Sequence, residues 1–240
     1  MKLLHTSDWH LGHSLYNFDR TAEQQAFLKQ LTEAVRTHRP DALLISGDVY
    51  HYSSPSASTQ RMYTDAILAI HDACPTMQII VTAGNHDSSS RLEIDSNLWK
   101  HFRVHVIGSI DRKDNQVLWE KHIIPLADES GKLTGYVIAV PHCYPQNFPA
   151  LHPDIPRDER QADFFHTLLE ETAKRNTTGV PVILMAHLAV AGSDITGHDD
   201  GIGGMDYLPI ETLGEGYDYL ALGHIHCPQT LRNTKQYARY

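Results

Sequence analysis

Ile79-Ile80-Val81-Thr82-Ala83-Gly84-Asn85-His86-Asp87 is the stretch on which the reading of this chain turns. A β-branched run, suited to a pleated strand, stops abruptly at a glycine and three polar residues. Four more short polar clusters recur along the chain: Asp8-Trp9-His10, Gly47-Asp48, Ala186-His187 and Gly223-His224-Ile225-His226. Four of the five clusters directly follow an apolar, strand-like run. Any one of them has an ordinary explanation as a turn, a cap or a buried histidine. All five, in order and at strand ends, describe strands that each deliver a polar end to a common place.

Working outward, the chain repeats a strand, helix, strand unit. Lys2-Leu3-Leu4-His5-Thr6 is the first strand, and His5 inside it reads as a buried, hydrogen-bonded histidine. Asp19 is placed to cap a helix over residues 20–37, with Ala22, Ala26, Phe27, Leu31, Ala34 and Val35 at helical spacing. Ala42-Leu43-Leu44-Ile45-Ser46 has the look of a strand covered on both faces. A second helix from about residue 56 carries Met62, Tyr63, Ala66, Ile67, Ile70 and Ala73, and Pro75 stops it. Ser90-Arg91-Leu92-Glu93 resembles a capping box for a third helix reaching about Lys100.

The character then changes. Short β-like runs between residues 104 and 140, with a turn signal at Gly131, predict antiparallel pairing. Residues 141–156 hold five prolines and read as a long irregular loop. Ala162, Phe165, Leu168, Leu169 and Ala173 mark a helix over 157–175. Pro181-Val182-Ile183-Leu184-Met185 and Asp218-Tyr219-Leu220-Ala221-Leu222 are further buried strands, separated by a glycine-rich loop over 188–204. Residues 227–240 begin a hairpin without closing it.

Composition sets bounds. A chain of 240 residues with 41% apolar and 20% charged residues can build a substantial core, which excludes a disordered protein. No run approaches membrane-spanning length, and His5, Ser7 and Asp8 interrupt any signal-peptide core. The three cysteines, Cys74, Cys143 and Cys227, form no Cys-x-x-Cys pair, which argues for a reducing cytoplasm and against a thiolate zinc site. A net charge of −9 excludes a broadly basic nucleic-acid platform. A nuclease can carry that charge if metals neutralise its site and a partner or further segment holds the DNA.

Ligand sites of α/β sheets lie beyond the carboxyl ends of the strands, where the five clusters fall. Asp8, His10, Asp48, Asn85, His187, His224 and His226 then supply four imidazoles, two carboxylates and one amide oxygen. That mixture suits two divalent ions of the Mn²⁺, Fe²⁺ or Zn²⁺ kind, with Asp48 as the natural bridge. Two such ions, about 3.5–4 Å apart, would activate a water for attack on phosphorus. His86, next to a ligand, is assigned to leaving-group protonation or transition-state stabilisation. Asp87 is expected to orient it and raise its pKa, and His51 to face the substrate.

Other residues take plainer readings. His38, His71, His101, His122, His152 and His166 are expected on the surface, and His13 is left open. His198-Asp199-Asp200 reads as mobile solvated charge in a glycine-rich loop. Arg232, Lys235 and Arg239 read equally as a solvated chain end or as phosphate contacts. Tyr63, Ile67 and Ile70 form a core stripe, part of which could serve a dimer face.

The set of motifs resembles that of the calcineurin-like metallophosphoesterase superfamily: Asp-x-His, Gly-Asp, Gly-Asn-His-Asp, His and Gly-His-x-His. That resemblance implies an α/β, four-layer sandwich in which two facing mixed β-sheets are flanked by helices. Leu4-His5-Thr6-Ser7-Asp8-Trp9-His10-Leu11-Gly12 and Leu220-Ala221-Leu222-Gly223-His224-Ile225-His226 are similar to SbcD-like subunits of bacterial DNA repair nucleases. The similarity implies Mn²⁺-dependent double-strand exonuclease and single-strand endonuclease activities on DNA. It also implies a homodimer, formed near residues 58–73 and 91–100, and an SbcC-like ATPase partner. Asp8, His10, Asp48 and His226 would hold one metal, and Asp48, Asn85, His187 and His224 the other. Gly47-Asp48-Val49-Tyr50-His51 departs from the Gly-Asp-x-x-Asp of many phosphatases; its histidine form occurs in archaeal relatives of SbcD, where it acts in nuclease catalysis. Residues 1–240 are expected to be one nuclease domain, truncated before the capping domain and partner-binding tail of that family. Two other readings compete: a phosphatase or cyclic-nucleotide phosphodiesterase acting on small substrates, and a non-catalytic dimeric scaffold for an ATPase.

Overall fold

The apolar runs are strands. In the computed structural model, which describes residues 1–114, 116–196, 207–231 and 237–240, β1 (Leu3–Thr6) leads to a small hairpin of β2 (Ser14–Leu15) and β3 (Phe18–Asp19). Its two turn residues, Tyr16 and Asn17, both have positive φ, as a two-residue hairpin turn demands. There follow α1 (Thr21–His38), β4 (Ala42–Ser46), α2 (Ala57–Ala73), β5 (Gln78–Thr82), α3 (Ser89–Leu92), α4 (Ser96–Trp99) and β6 (Val104–Ile107). The second half holds β7 (Arg112–Lys113), β8 (Gln116–Val117), α5 (Trp119–His122), β9 (Ile123–Ala127), β10 (Leu133–Val140), α6 (Arg160–Arg175), β11 (Val182–His187), β12 (Tyr219–Gly223) and β13 (Tyr237–Arg239).

Two sheets carry the fold. One has the order β1-β4-β5-β6 and is parallel throughout. The other has the order β13-β12-β11-β10-β9 and is mixed, since only β9 runs against its neighbour. Strand periodicity explains why both are covered on both faces. Leu43, Ile45, Ile79 and Val81 pack with residues of α1 and α2, while Ala42, Leu44 and Ile80 face the second sheet. On β11, Val182, Leu184 and Ala186 pack with Phe164 and Leu168 of α6, and Ile183 and Met185 face the first sheet. The result is four layers: helices, sheet, sheet, helix. Each fully buried aliphatic side chain contributes roughly 1.5–3 kcal/mol of transfer free energy.

His5 sits in the layer between the sheets as expected, with Nδ1 3.0 Å from the Tyr219 hydroxyl and Nε2 3.1 Å from Ser46 Oγ. Several expectations need correction. The buried face of α1 is Gln24, Leu28, Thr32 and Val35, while Ala22, Ala26 and Phe27 are exposed. Asp19 is not its N-cap residue, although its carboxylate accepts the Thr21 N–H at 2.7 Å. The helix expected over 90–100 is broken into α3 and α4. Glu93 does not close a capping box; its carboxylate accepts the Gly108 and Ser109 N–H groups and pairs with Lys121 at 2.6 Å. β6 is parallel to β5, so among the described residues of 104–140 the expected antiparallel pairing is found at β7/β8 and β9/β10.

His122 is buried, not on the surface, because its Nδ1 donates to the Ala139 carbonyl at 2.8 Å and its ring meets Phe164. His71 is half-buried against Phe102, whereas His38, His101, His152 and His166 are exposed. The chain end forms β13, parallel to β12, and Thr230 bridges Arg239 antiparallel. His198-Asp199-Asp200, Arg232 and Lys235 lie outside the described residues. No helix among the described residues is long and apolar enough to cross a membrane.

Candidate metal centre

β1, β4, β5, β11 and β12 end on one rim, and the five polar clusters meet there. The loops are zipped together by backbone bonds: Asp8 N–H donates to the Gly47 carbonyl and His10 N–H to the Asp48 carbonyl, each at 3.0 Å. The turns are tight. Asp8, His10, Asp48 and His224 all have positive φ, at 55°, 44°, 51° and 104°. Such backbone costs about 1–3 kcal/mol per non-glycine residue and persists where surrounding contacts over-determine it, as at functional sites. Gly84 passes so close to Asp48 that a Cβ there would collide with its carboxylate and its backbone nitrogen, which explains the glycine before Asn85.

All seven expected ligands are brought together. Asp48 lies in the middle: its Oδ2 is 3.5 Å from His10 Nε2 and equally 3.5 Å from His187 Nε2. On one side His10 Nε2 is 3.0 Å from His226 Nε2, and His226 Nε2 is 3.6 Å from Asp8 Oδ1. On the other, Asn85 Oδ1 is 2.9 Å from both His187 Nε2 and His224 Nδ1. The second nitrogen of His187 donates to the Ser46 carbonyl at 2.8 Å, which leaves the Nε2 lone pair for the rim. Strand parity puts it there, since residues 183, 185 and 187 of β11 all point toward the first sheet. Backbone N–H groups hold the carboxylates: His224 donates to both oxygens of Asp8 at 3.1 Å, and His86 donates to Asp48 Oδ1 at 2.9 Å.

The electrostatics set Asp48 beside positive charge, with a proton on His187 balancing it when no metal is bound. Burial alone would push the His187 imidazole down, but the Asp48 carboxylate beside it raises it to about 9. Asp48 is held well below the usual carboxylate range: burial opposes this, and His187 and His10 outweigh it. Burial dominates at His10 and lowers it to about 4. A central carboxylate between two groups of nitrogen and oxygen donors fits a pair of divalent ions of intermediate softness.

His86 and His51 stand over the Asp8/His10 side. His86 Nδ1 donates to the His51 carbonyl at 2.8 Å, which fixes its tautomer and turns Nε2 toward the cavity. The orienting part expected of Asp87 is thus played by the His51 backbone. Asp87 lies behind the rim and accepts N–H groups from Gly84, Val49 and Tyr50 at 2.9–3.1 Å, clamping the Asp48 loop to the Asn85 loop. Burial, and then the charge of Asp48, raises its carboxyl to about 6 despite those bonds. His51 lines the cavity, and His13 packs against it at a tilt of 41° with ring centres 4.3 Å apart. The cavity over the site holds about 700 Å³, and Arg20 is the one lysine or arginine among its described lining residues.

Two contributors were not anticipated. Gln24, buried on α1, donates to the His10 carbonyl and accepts the Gly12 N–H, both at 3.0 Å, and so fixes the first ligand loop. His142 lies edge-on to His187 and nearly parallel to His224, with ring centres 6.1 and 6.5 Å away. A signal for it existed: Pro141-His142 follows the apolar run of β10, as four of the five clusters follow theirs.

Residues 1–228 match the model of the calcineurin-like phosphoesterase family. The chain is 35% identical over 239 residues to the SbcD subunit of the SbcCD nuclease of Rhodobacter capsulatus, covering 96% of this chain and 59% of the relative. It is 30% identical to the SbcD subunit of the SbcCD nuclease of Bacillus subtilis, covering all of this chain and 60% of the relative. The chain therefore spans about three fifths of the length of these curated relatives. Among solved structures, a dimetal phosphatase from Danio rerio superposes with a TM-score of 0.58 at 12% identity, covering 99% of this chain and 85% of that one, a likeness of fold alone.

Proposed function

The chain belongs to the calcineurin-like phosphoesterase family, and we propose that it is the catalytic domain of a DNA nuclease that hydrolyses phosphodiester bonds at a two-metal centre. The observation that carries the two-metal reading is the position of Asp48 Oδ2, 3.5 Å from one histidine of each ligand group. Asp8, His10, Asp48 and His226 hold one ion, and Asp48, Asn85, His187 and His224 the other. Mn²⁺ is the favoured ion, with Fe²⁺ or Zn²⁺ as substitutes, because imidazole and carboxylate together suit these metals. Bound ions supply Lewis acidity toward a phosphoryl oxygen and lower the pKa of a water.

The chain's own residues do the rest. Asp48 and Asp8 are held by backbone N–H groups, so their oxygens stay aimed at the rim. His86, with Nδ1–H committed to the His51 carbonyl, presents Nε2 to the cavity; in its doubly protonated form it delivers the Nε2 proton to the departing oxygen and is left as the neutral Nδ1–H tautomer. His51 flanks the same opening and contacts the substrate. Asp87 acts on position alone, locking the two ligand loops together.

The choice of DNA is supported by the similarity to SbcCD nuclease subunits along 96–100% of this chain. It brings further proposals: double-strand exonuclease and single-strand endonuclease activity, a role in DNA repair and recombination, and work with an SbcC-like ATPase. A homodimer is supported by Ile94 and Leu98 near and on α4, which expose 78% and 57% of their surface. The test is cleavage of single-stranded, hairpin and blunt duplex DNA with Mn²⁺, beside bis-p-nitrophenyl phosphate. The expected result is cleavage of DNA that chelation abolishes. Turnover of the small ester with every DNA left intact would replace this reading with a small-substrate phosphodiesterase.

A further inference from the structure

His10 is a two-sided ligand. Its Nε2 faces the metal centre, 3.0 Å from His226 Nε2 and 3.5 Å from Asp48 Oδ2. Its Nδ1 faces the other way and lies 3.4 Å from His51 Nδ1. His86 stands beside this pair: one ring nitrogen from each of His10, His51 and His86 lies within 4.8 Å of the others. The three rings are close, with centres 4.7–5.4 Å apart, and His51 and His86 are stacked at 28°. No carboxylate belongs to this group, unlike the set of Asp8, His10, Asp48 and His226 beside it.

The His10–His51 pair has the spacing of two metal ligands, and His86 lies within 4.8 Å of both. Two imidazole nitrogens at about 2.0–2.1 Å from a tetrahedral zinc stand about 3.3 Å apart. All-imidazole sets favour Zn²⁺, Ni²⁺ and Cu²⁺ over Mn²⁺, which prefers oxygen donors. A neutral imidazole has one lone pair, so His10 can serve only one of its two sides at a time.

We propose that His10 Nδ1, His51 Nδ1 and His86 form a separate, inhibitory site for zinc-like ions. Its occupation takes His10 away from the first metal position and His86 away from the leaving group. The site thus makes the protein active with Mn²⁺ and self-limiting when a tighter-binding ion is in excess. The inference rests on the two-metal reading and does not depend on DNA being the substrate.

The test is zinc binding to the full chain already loaded with Mn²⁺, followed by equilibrium dialysis and by anomalous diffraction at the zinc edge. The expected result is an anomalous peak enclosed by His10, His51 and His86, absent from His51→Phe and kept in His13→Ala. His51→Phe should also bind one zinc fewer per chain at the same free zinc. Zinc density confined to the ligands around Asp48, or equal zinc uptake by wild type and His51→Phe, would overturn the proposal. Failure of wild type to hold two Mn²⁺ before zinc is added would instead sink the two-metal reading.

Discussion

His5 and His10 lie five residues apart, and burial lowers both to about 4. Their surroundings are opposite. His5 is inside β1, between the sheets, and both nitrogens are matched by hydroxyls, Ser46 on one side and Tyr219 on the other. His10 is past the strand end, and its nitrogens face other imidazole nitrogens and a carboxylate. In the layer between the sheets the side chains are mostly aliphatic, and His5 finds both its partners there. The rim above it has four positive-φ residues among its seven converging ligands and a carboxylate poised between two histidines. A shifted pKa alone does not mark the site; convergence of donors on one another does, and stability and function therefore separate by region.

The largest effect that would break this division is at the bridge. Asp48→Asn is expected to lower turnover at least about 10³-fold and to weaken both metals, with little loss of melting temperature. Metal content by elemental analysis, beside a thermal melt, checks it. His86→Gln should lower turnover about 10²–10⁴-fold while retaining two metals, as removal of a proton donor does. Normal turnover in that variant would remove His86 from the chemistry.

The converse substitution is Ile80→Ala, between the sheets. It should cost about 2–5 kcal/mol of stability by denaturant unfolding, while metal stoichiometry per folded chain stays at that of the wild type. The smallest effect concerns pH. His5 is held neutral in the fold, so the stability it confers is full above about pH 6.5. That stability falls between 6.5 and 4, where the unfolded chain binds a proton that the folded protein refuses. The loss is about 3 kcal/mol at most. With metals chelated, His5→Gln should unfold with a shallower acid dependence than wild type over that window; equal slopes would show that His5 does not carry it.

Much of this was legible in the sequence. The strands ending at Thr6, Ser46, Thr82, His187 and Gly223 declare themselves by apolar runs, and the polar residues after them by type. The buried face of α1 was not, because Gln24 and Thr32 are polar and become core only through bonds to His10, Gly12 and Leu28. Glu93 has the spacing of a capping box, yet a tertiary partner, the end of β6, takes its carboxylate. The parallel pairing of β6 depends on which edge of the sheet is vacant, which local pattern does not encode. His142 follows β10 much as His187 closes β11, but Pro141 and the four further prolines up to residue 156 make its surroundings read as an irregular loop. The tautomer of His86 is set by a backbone carbonyl 35 residues away and has no counterpart in the sequence.

The most direct measurement of the central claim is low-temperature electron paramagnetic resonance of the chain titrated with Mn²⁺. Ions sharing the Asp48 carboxylate should give a spin-coupled spectrum that reaches its maximum at two Mn²⁺ per chain and disappears in Asp48→Asn. Isolated, uncoupled Mn²⁺ signals persisting up to and beyond two equivalents would contradict it.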